Sequence, residues 1–432
     1  MAGILTIILF AISLLLCIIL KYSVIYALIS GYFLFMLYGF YFGYDIKKLF
    51  KISIKSSLKV KNIIIIFILV GLITALWRAS GTIAFIIYAG SKFIIPSTFI
   101  LLSFILCATL ATLIGSALGT SATMGVICIT IARAMQINEF YVAGAILSGI
   151  YFGDRCSPMA TSAHLVCEVT DTNLYTNIKK MIKTSIIPFF ITCFIYLLLG
   201  FFSSNQSNNI EIIDLFKENY NLNFIIILPA LLIIFLSLLK INVKITMFAS
   251  VFAAFLTALV FQKENFLTLI HYCIYGYESD IESLNSMMKG GGVLSMVNVS
   301  LIVGISSSYS GIFEETKMLD SLKKYIYILA NKITSFGAIL VTAFISSAIA
   351  CNQSLGIILT NQLCENLMPK QERAIALENT VVLLAGLIPW SIAMAVPFDA
   401  IEVDKTAGLF GFYLFLVPLW NFLLAVKYKS SL

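Results

Sequence analysis

The chain has 432 residues, of which 60% are apolar and only 11% are charged, with a formal net charge of +7 and a mean hydropathy of +1.00. A water-soluble domain carries about 25% charged residues, which keep its surface hydrated. The composition therefore excludes a soluble globular fold. We expect an all-α polytopic membrane protein whose large partner is the lipid bilayer and not nucleic acid.

Apolar stretches of roughly membrane-spanning length follow one another along the chain. The first, Gly3 to Leu20, lacks a basic leader and is followed at once by a second, so we interpret it as a retained span and not as a signal peptide. The nine cysteines stand singly and are expected to be packing thiols. The twelve apolar blocks lie at 3–20, 23–43, 62–90, 97–133, 139–166, 184–202, 222–240, 243–261, 293–313, 334–367, 374–398 and 406–426.

The order of these blocks indicates a duplication. Six blocks form a first half, residues 1–202, and six form a second, residues 222–432, with a polar extracellular linker at 203–221. The alternative is chance, because Gly and Ser are common in membrane helices. Small polar or acidic signatures recur at an offset of 230 to 234 residues, in the pairs Ser80-Gly81 with Ser310-Gly311, Ser121 with Ser354, Glu139 with Glu372, and Ser157 with Ser391.

Two blocks, 97–133 and 334–367, are too long for one crossing and are interrupted by small and polar residues. Each predicts a re-entrant hairpin, whose non-helical backbone must be buried in protein or line a watery cavity. If the other ten blocks cross and both termini are cytoplasmic, 19 Lys and Arg residues lie inside, 6 lie outside and three arginines lie within the membrane. This bias obeys the positive-inside rule of plasma-membrane proteins. Five crossings per half then give an inverted repeat, a plan of secondary transporters.

The basic run from Lys47 to Lys61 contributes strongly to this bias. We interpret it as a topological signal. A binding site for lipid headgroups or for a partner is the alternative, and the two roles are compatible.

Four interruptions predict where the chemistry lies. In inverted-repeat transporters, broken helices from both halves bring their ends together near the midplane. Proline removes a backbone donor and frees a carbonyl one turn earlier, which allows a membrane helix to present oxygen to an ion. The interruptions are the hairpin tips Gly119-Thr120-Ser121 and Asn352-Gln353-Ser354, and the breaks Gly153 to Pro158 and Ile388 to Ser391, the second followed by Pro397. The predicted ion- or substrate-binding residues are Gly119, Thr120, Ser121, Asp154, Ser157, Thr161, Asn352, Gln353, Ser354 and Ser391.

Asp154 is the most informative of these residues, because a carboxylate inside a span is costly and marks a functional site. We expect it to bind Na+ through its oxygens and to take up a proton when the ion leaves, since burial disfavours the charged form. The alternative is a structural ion pair with Arg155 or Arg133.

Four further residues have weaker assignments. His164 is either a proton relay or a hydrogen-bonded packing residue. Arg155 is a charge partner of the site, and Glu378 is either a second charge partner or a side chain that snorkels to the cytoplasmic edge. Arg78 is a candidate partner for a buried carboxylate or an anionic substrate. An acidic cluster at an outer mouth, either attracting cations or simply solvated, is formed by Asp399, Glu402 and Asp404.

The stretch from Gly144 to Pro158, preceded by Gly119-Thr120-Ser121, resembles the NhaC family of Na+/H+ antiporters of the ion transporter superfamily. The resemblance covers most of the chain from about Gly71 onward. It implies exchange of Na+ for H+ without a cofactor, with some relatives moving malate and lactate, and an elevator-like motion of the hairpin-bearing part. It is also compatible with a homodimer.

The chain departs from this family at one place. Where many relatives read Ser-Pro-Leu-Ser-Asp-Thr-Thr-Asn, this chain carries Thr161 in place of the acidic residue and His164 in place of the asparagine. The departure favours a second hypothesis, an Na+- or H+-coupled transporter of a small organic anion or amino acid. No nucleophile and base pair, metal cluster or charged pore ring favours an enzyme or a channel.

Overall fold

The computed structural model describes residues 2–20, 22–58, 61–90, 95–203, 216–239, 241–316 and 322–429, and these parts are almost entirely helical. Residues 204–215 of the predicted linker lie outside the described residues. The helices are α1 (Ala2–Ile19), α2 (Val24–Tyr41), α3 (Ile46–Leu58), α4 (Lys61–Ala79), α5 (Thr82–Gly90), α6 (Pro96–Ile114), α7 (Ala117–Thr120), α8 (Val126–Ala134), α9 (Glu139–Cys156), α10 (Thr161–Thr170), α11 (Leu174–Ser203), α12 (Leu228–Leu238), α13 (Val243–Phe261), α14 (Phe266–Tyr275), α15 (Glu282–Met288), α16 (Val297–Thr316), α17 (Lys323–Lys332), α18 (Ser335–Ala350), α19 (Gln353–Leu363), α20 (Lys370–Asn379), α21 (Val381–Leu384), α22 (Ile392–Ile401) and α23 (Phe412–Lys429).

Several of these helices are long and apolar enough to cross a membrane. By length and composition there are five within the described residues, and a sixth if Lys370–Leu387 and Ile392–Ile401, which meet at 50°, count as one bent span. The protein is thus a multi-pass α-helical membrane protein. The five are Val24–Tyr41, Pro96–Leu113, Leu174–Ser203, Lys244–Phe261 and Val293–Phe313.

The first predicted hairpin, 97–133, differs from expectation in one respect. Its leading arm, α6, has 19 residues, so at 1.5 Å per residue it is about 28 Å long, enough to cross the bilayer alone. The chain then turns at Gly115-Ser116 and continues through α7, a π-helical turn at Ser121–Gly125 and α8. A sequence window cannot reveal such unequal arms, because both arms are equally apolar.

Two further segments are organised differently from the predicted blocks. The block 62–90 is divided into α4 and α5 at Ser80-Gly81, where Gly81 has a φ of 76°. Of the basic run, Lys47, Lys48, Lys51 and Lys55 lie in α3, where they are exposed, and the buried face of this helix packs on α16.

The buried core draws on both predicted halves of the chain. One large cluster joins side chains of α4, α6, α8 and α9 to those of α22 and α23. A second joins α1 and α2 to α16, α18 and α19. Because the halves share their cores, residues distant in sequence meet within the membrane. The inverted orientation of the two halves stays a prediction.

Helix α9, which carries Asp154, packs closely along α6. The contact depends on small residues, since a Cβ added at Gly153 would lie 2.3 Å from the Ala111 Cβ and 2.5 Å from the Thr112 backbone nitrogen. The backbone of α6 cannot move aside to make room for an added Cβ, as the end of a flexible side chain could. The two helices can approach this closely only because glycine stands at the contact, as is common where membrane helices pack.

We therefore expect Gly153→Ala to destabilise the protein by about 1–3 kcal/mol, the usual cost of overpacking. Thermal unfolding in detergent measures the effect. Gly304→Ala is the matched control, because an added Cβ there meets nothing within 4 Å, and it should leave the unfolding midpoint unchanged or raise it. Equal effects of the two substitutions would contradict the packing argument.

Candidate functional site

The two hairpin tips are built alike. Helices α6 and α18 each end at a left-handed residue, Gly115 with a φ of 72° and Cys351 with a φ of 56°. The next residue then caps the following helix. The Ser116 Oγ accepts from the Gly119 N–H at 3.1 Å, and the Asn352 Oδ1 accepts from the Leu355 N–H at 2.8 Å. Such caps satisfy backbone donors that a helix start leaves unpaired.

The two helix breaks are also alike. Ser157 and Ser391 are fully buried, and each hydroxyl accepts a backbone N–H two residues further on, from Met159 at 3.1 Å and from Ala393 at 3.3 Å. The two serines predicted as site residues therefore make the same local contact, although Ser157 follows the end of α9 and Ser391 precedes the start of α22. The duplication stays a prediction.

Each tip lies against a break. A Cβ on Gly115 would stand 2.5 Å from the Met159 Cβ, so the first tip touches the first break. At the second tip, the Cys351 carbonyl accepts from the Ile392 N–H at 2.8 Å. The four predicted interruptions thus form two tip-and-break pairs.

Prolines free carbonyls at the breaks, and side chains use them. Pro158 leaves the Asp154 carbonyl without its helical donor, and the Ser162 hydroxyl lies 3.4 Å from it. Pro397 frees the Ala393 carbonyl, to which the Tyr151 hydroxyl donates at 2.6 Å. The second of these carbonyls was expected to face an ion, but Tyr151 occupies it and thereby ties α9 to α22.

Asp154 lies where these elements meet. Its side chain is buried at the end of α9, and the Ser162 hydroxyl donates to its Oδ2 at 3.0 Å. The backbone N–H of Ala117, the first residue of α7, and the side chain of Gln353, the first residue of α19, also interact with this carboxyl. One group from each hairpin, a backbone N–H of the first and a side chain of the second, therefore approaches the same carboxyl.

Neither arginine proposed as a structural partner pairs with Asp154. The Arg155 guanidinium turns away and donates to the Tyr413 hydroxyl at 2.9 Å and to the Asn379 side chain. Arg133 instead donates to Glu139 at 2.9 Å. Within the described part of the chain no basic side chain pairs with Asp154, so the structural ion-pair interpretation is wrong. A carboxylate that lacks a protein cation can accept one from solution.

Sequence comparison places this site in a known group. A model of the Na+/H+ antiporter family matches residues 149–426, which contain Asp154, both breaks and the second hairpin. The chain belongs to the Na+/H+ antiporter family. The resemblance to NhaC proteins is thereby confirmed, and individual relatives agree with it.

Three relatives illustrate the range of this family. The chain is 28% identical over 383 residues to the malate-2H+/Na+-lactate antiporter of Bacillus subtilis (strain 168), covering 84% of this chain and 81% of the relative. It is 26% identical to the Na+/H+ antiporter NhaC of Alkalihalophilus pseudofirmus, covering 83% and 80%. It is also 26% identical to the arginine/ornithine antiporter ArcD of Halobacterium salinarum, covering 81% and 75%.

Other predicted site residues of this antiporter-family chain lie around the tips without reaching Asp154 by a hydrogen bond. The Thr120 and Ser121 hydroxyls donate to the nearby carbonyls of Ser116 and Leu118 at 2.9 Å each. Ser121 begins the π-helical turn Ser121–Gly125, a feature frequent at functional sites. The side chains of Thr161 and Ser354 are exposed.

His164 is exposed as well, and its Nε2 lies 2.9 Å from the Pro158 carbonyl. It therefore contacts the break that contains Asp154 but not the carboxyl itself. Its proposed proton-relay role stays a prediction.

Glu378 differs from the expected snorkelling side chain. It is fully buried, and neither carboxyl oxygen has a hydrogen-bond partner among the described residues. It interacts electrostatically with Arg155 and Asp154. The side chain thus lies close to the site and away from any aqueous edge.

Arg78 has the carboxylate partner that was predicted for it, and that partner is Glu402. The guanidinium, 1% exposed, binds both carboxylate oxygens at 3.2 and 3.0 Å, and the Gly291 N–H donates to the same group at 2.6 Å. Glu402 is therefore neutralised by Arg78, and the position of the acidic cluster at an outer mouth stays a prediction. Asp399 instead faces Lys405 at 3.6 Å, and Asp404 caps the Thr406 N–H.

Ser162, Ala117 and Tyr151 were not among the predicted site residues, and Glu402 was expected only as a member of the acidic cluster. Ser162 follows Asp154 by eight residues, a spacing that brings two side chains together only when a break lies between them. The sequence feature that could have indicated Ser162 was its position four residues after Pro158, the residue that interrupts the helix. The others act across distances that no local pattern reveals.

Proposed function

We propose that this chain exchanges Na+ for H+ across the plasma membrane, with both termini cytoplasmic and its halves arranged as an inverted repeat. The observation that carries the proposal is the position of Asp154, a buried carboxyl between both hairpin tips and the first break, with no cationic partner in the described part of the chain. Family membership supports the exchange reaction, and Asp154 is the residue that we propose binds the exchanged ions.

Na+ and H+ compete for the same carboxylate in this proposal. The Ser162 hydroxyl and nearby backbone and amide groups can complete a shell of oxygens around Na+, a hard cation. When Na+ leaves, the buried carboxylate is no longer neutralised, and a proton takes its place. Since one group cannot hold both ions at once, each trip across the membrane carries one or the other. This mutual exclusion is the physical basis of exchange.

An organic substrate is the second candidate function. Two relatives are named for malate, lactate, arginine or ornithine, and Thr161 lowers the acidic charge that the family motif supplies. Anion binding is less well supported, because the terminal nitrogens of Arg78 already bind Glu402. Those of Arg155 bind Tyr413, Thr184 and Asn379. A cationic amino acid would fit Asp154 better than an organic anion would.

Reconstitution into proteoliposomes separates the two functions. Under the first, an imposed Na+ gradient alone drives a pH change, read as dequenching of a pH-sensitive dye inside the vesicles. Under the second, dequenching appears only after malate, lactate, arginine or ornithine is added. A signal that requires the organic solute would replace the Na+/H+ proposal.

Ser162→Ala should weaken Na+ binding without abolishing exchange. It removes a hydrogen bond to an ionised carboxylate, worth about 1.5–3 kcal/mol, so the Na+ concentration at half-maximal rate should rise by about ten-fold or more. Ser295→Ala removes the same atom from an exposed serine outside the predicted site and serves as the control. An unchanged Na+ dependence in Ser162→Ala would remove Ser162 from the site.

A further inference from the structure

Two buried polar groups near the site are left without partners. Both carboxyl oxygens of Glu378, in the last turn of α20, lack a hydrogen bond among the described residues, and so does the Nε of Arg155. Both side chains are completely buried. Unsatisfied buried polar atoms are rare and call for an explanation, since each costs roughly 1–3 kcal/mol.

The charged and titratable groups around Glu378 are few. Helix α9 contributes Arg155, Asp154 and Cys156, and α10 contributes Cys167. Helix α23 contributes Tyr413, which binds Arg155. The sequences of α18 and α19 contain no titratable residue. The lysines of α11 are exposed, and the ionic residues of α20 itself point elsewhere, Arg373 to Asn361 and Lys370 to Asp171.

We propose that Glu378 carries a transported proton at a position separate from the Na+ site at Asp154. The inference rests on the proposed Na+/H+ exchange. A proton needs a single oxygen, whereas Na+ needs several oxygens at once. No hydroxyl, amide or carbonyl among the described residues forms a hydrogen bond with the Glu378 carboxyl, whereas the Ser162 hydroxyl contacts that of Asp154. The two carboxyls are therefore suited to different ions.

Arg155 is the hydrogen-bond donor that stabilises Glu378 after the proton has left. The Glu378 carboxyl makes no hydrogen bond to any described residue. This suits a protonated carboxyl, because an ionised one without partners is too costly in the interior. When its O–H bond breaks, the proton leaves to the aqueous side to which the site is open. The resulting carboxylate then accepts from the unpaired Arg155 Nε–H. No other bond changes, and the two orphaned groups satisfy each other in the deprotonated state.

The consequence is a coupling ratio above one proton per Na+, because Asp154 and Glu378 each release a proton to the same side. Exchange is then electrogenic. A null-point measurement gives the ratio: the membrane potential of proteoliposomes is clamped with K+ and valinomycin, and the Na+ and pH gradients that stop net flux are found. Glu378→Gln should lower the number of protons exchanged per Na+ by about one.

Glu372→Gln is the matched control, since Glu372 is an exposed residue of the same helix, and it should keep the wild-type ratio. An identical ratio in Glu378→Gln and the wild type would overturn the inference. If the wild type itself shows no Na+-driven proton flux at any potential, the proposed exchange has failed instead. The two failures are thus distinct.

A second measurement tests the inference without transport and is therefore informative even when the Glu378→Gln protein is inactive. In Asp154→Asn, the infrared C=O absorption of a protonated carboxyl should persist near neutral pH and disappear at alkaline pH. Adding Glu378→Gln should remove that band. A titrating band of unchanged intensity in the double variant would show that Glu378 holds no proton.

Discussion

Asp154→Asn is expected to reduce Na+-driven proton flux to the level of protein-free liposomes. The substitution keeps the size of the side chain and its contact with Ser162 but removes the negative charge. A neutral amide neither neutralises Na+ in the membrane interior nor takes up a proton at physiological pH. Dequenching of a pH-sensitive dye in proteoliposomes measures the flux.

The control for this substitution is Asp171→Asn. Asp171 is an aspartate whose side chain is 84% exposed and which pairs with Lys370 on the surface. It has a left-handed backbone with a φ of 54°, a conformation that asparagine also accepts. Its flux should match the wild type. Retained exchange in Asp154→Asn would remove Asp154 from the mechanism.

Glu402→Ala is expected to produce the largest loss of stability. It leaves the Arg78 guanidinium buried without its anion and the Gly291 N–H without its acceptor. Breaking a buried ion pair by removing one partner costs about 3–5 kcal/mol, because the remaining charge stays in the interior. Thermal unfolding in detergent should show the loss, even if the protein still reaches the membrane.

Glu315→Ala provides the comparison. Glu315 pairs with Lys48 at 2.6 Å, but both side chains are substantially exposed, at 40% and 55%. An exposed pair contributes about 0–1 kcal/mol, so this variant should unfold close to the wild-type temperature. If the two substitutions were equally mild, the Arg78–Glu402 pair would not be the structural contact described above.

The parts of the site that the sequence predicts are those with local causes. Glycine and proline interrupt a helix wherever they occur, so the tips and breaks are visible without a structure. Asp154 stands out because a carboxylate within an apolar span is costly wherever its partners lie. Ser391 follows from the same logic, because it caps the start of α22 and helix starts favour serine caps.

The parts that the sequence does not predict depend on distant partners. Arg78 and Glu402 are 324 residues apart, and nothing local distinguishes Glu402 from its acidic neighbours. Glu378, in contrast, was offered as a side chain that reaches the cytoplasmic edge, but it is fully buried. Near the start of a span, a glutamate can reach water or be buried by helices from the other half, and only the packing of α10 and α11 on α20 decides between the two.

Na+ and H+ are expected to compete for Asp154. Adding Na+ to the purified protein in weakly buffered detergent solution tests this competition, because a pH indicator then counts the protons released. The wild type should release protons with a saturable dependence on Na+, and Asp154→Asn should release none. Saturable proton release of wild-type size from Asp154→Asn would contradict the claim.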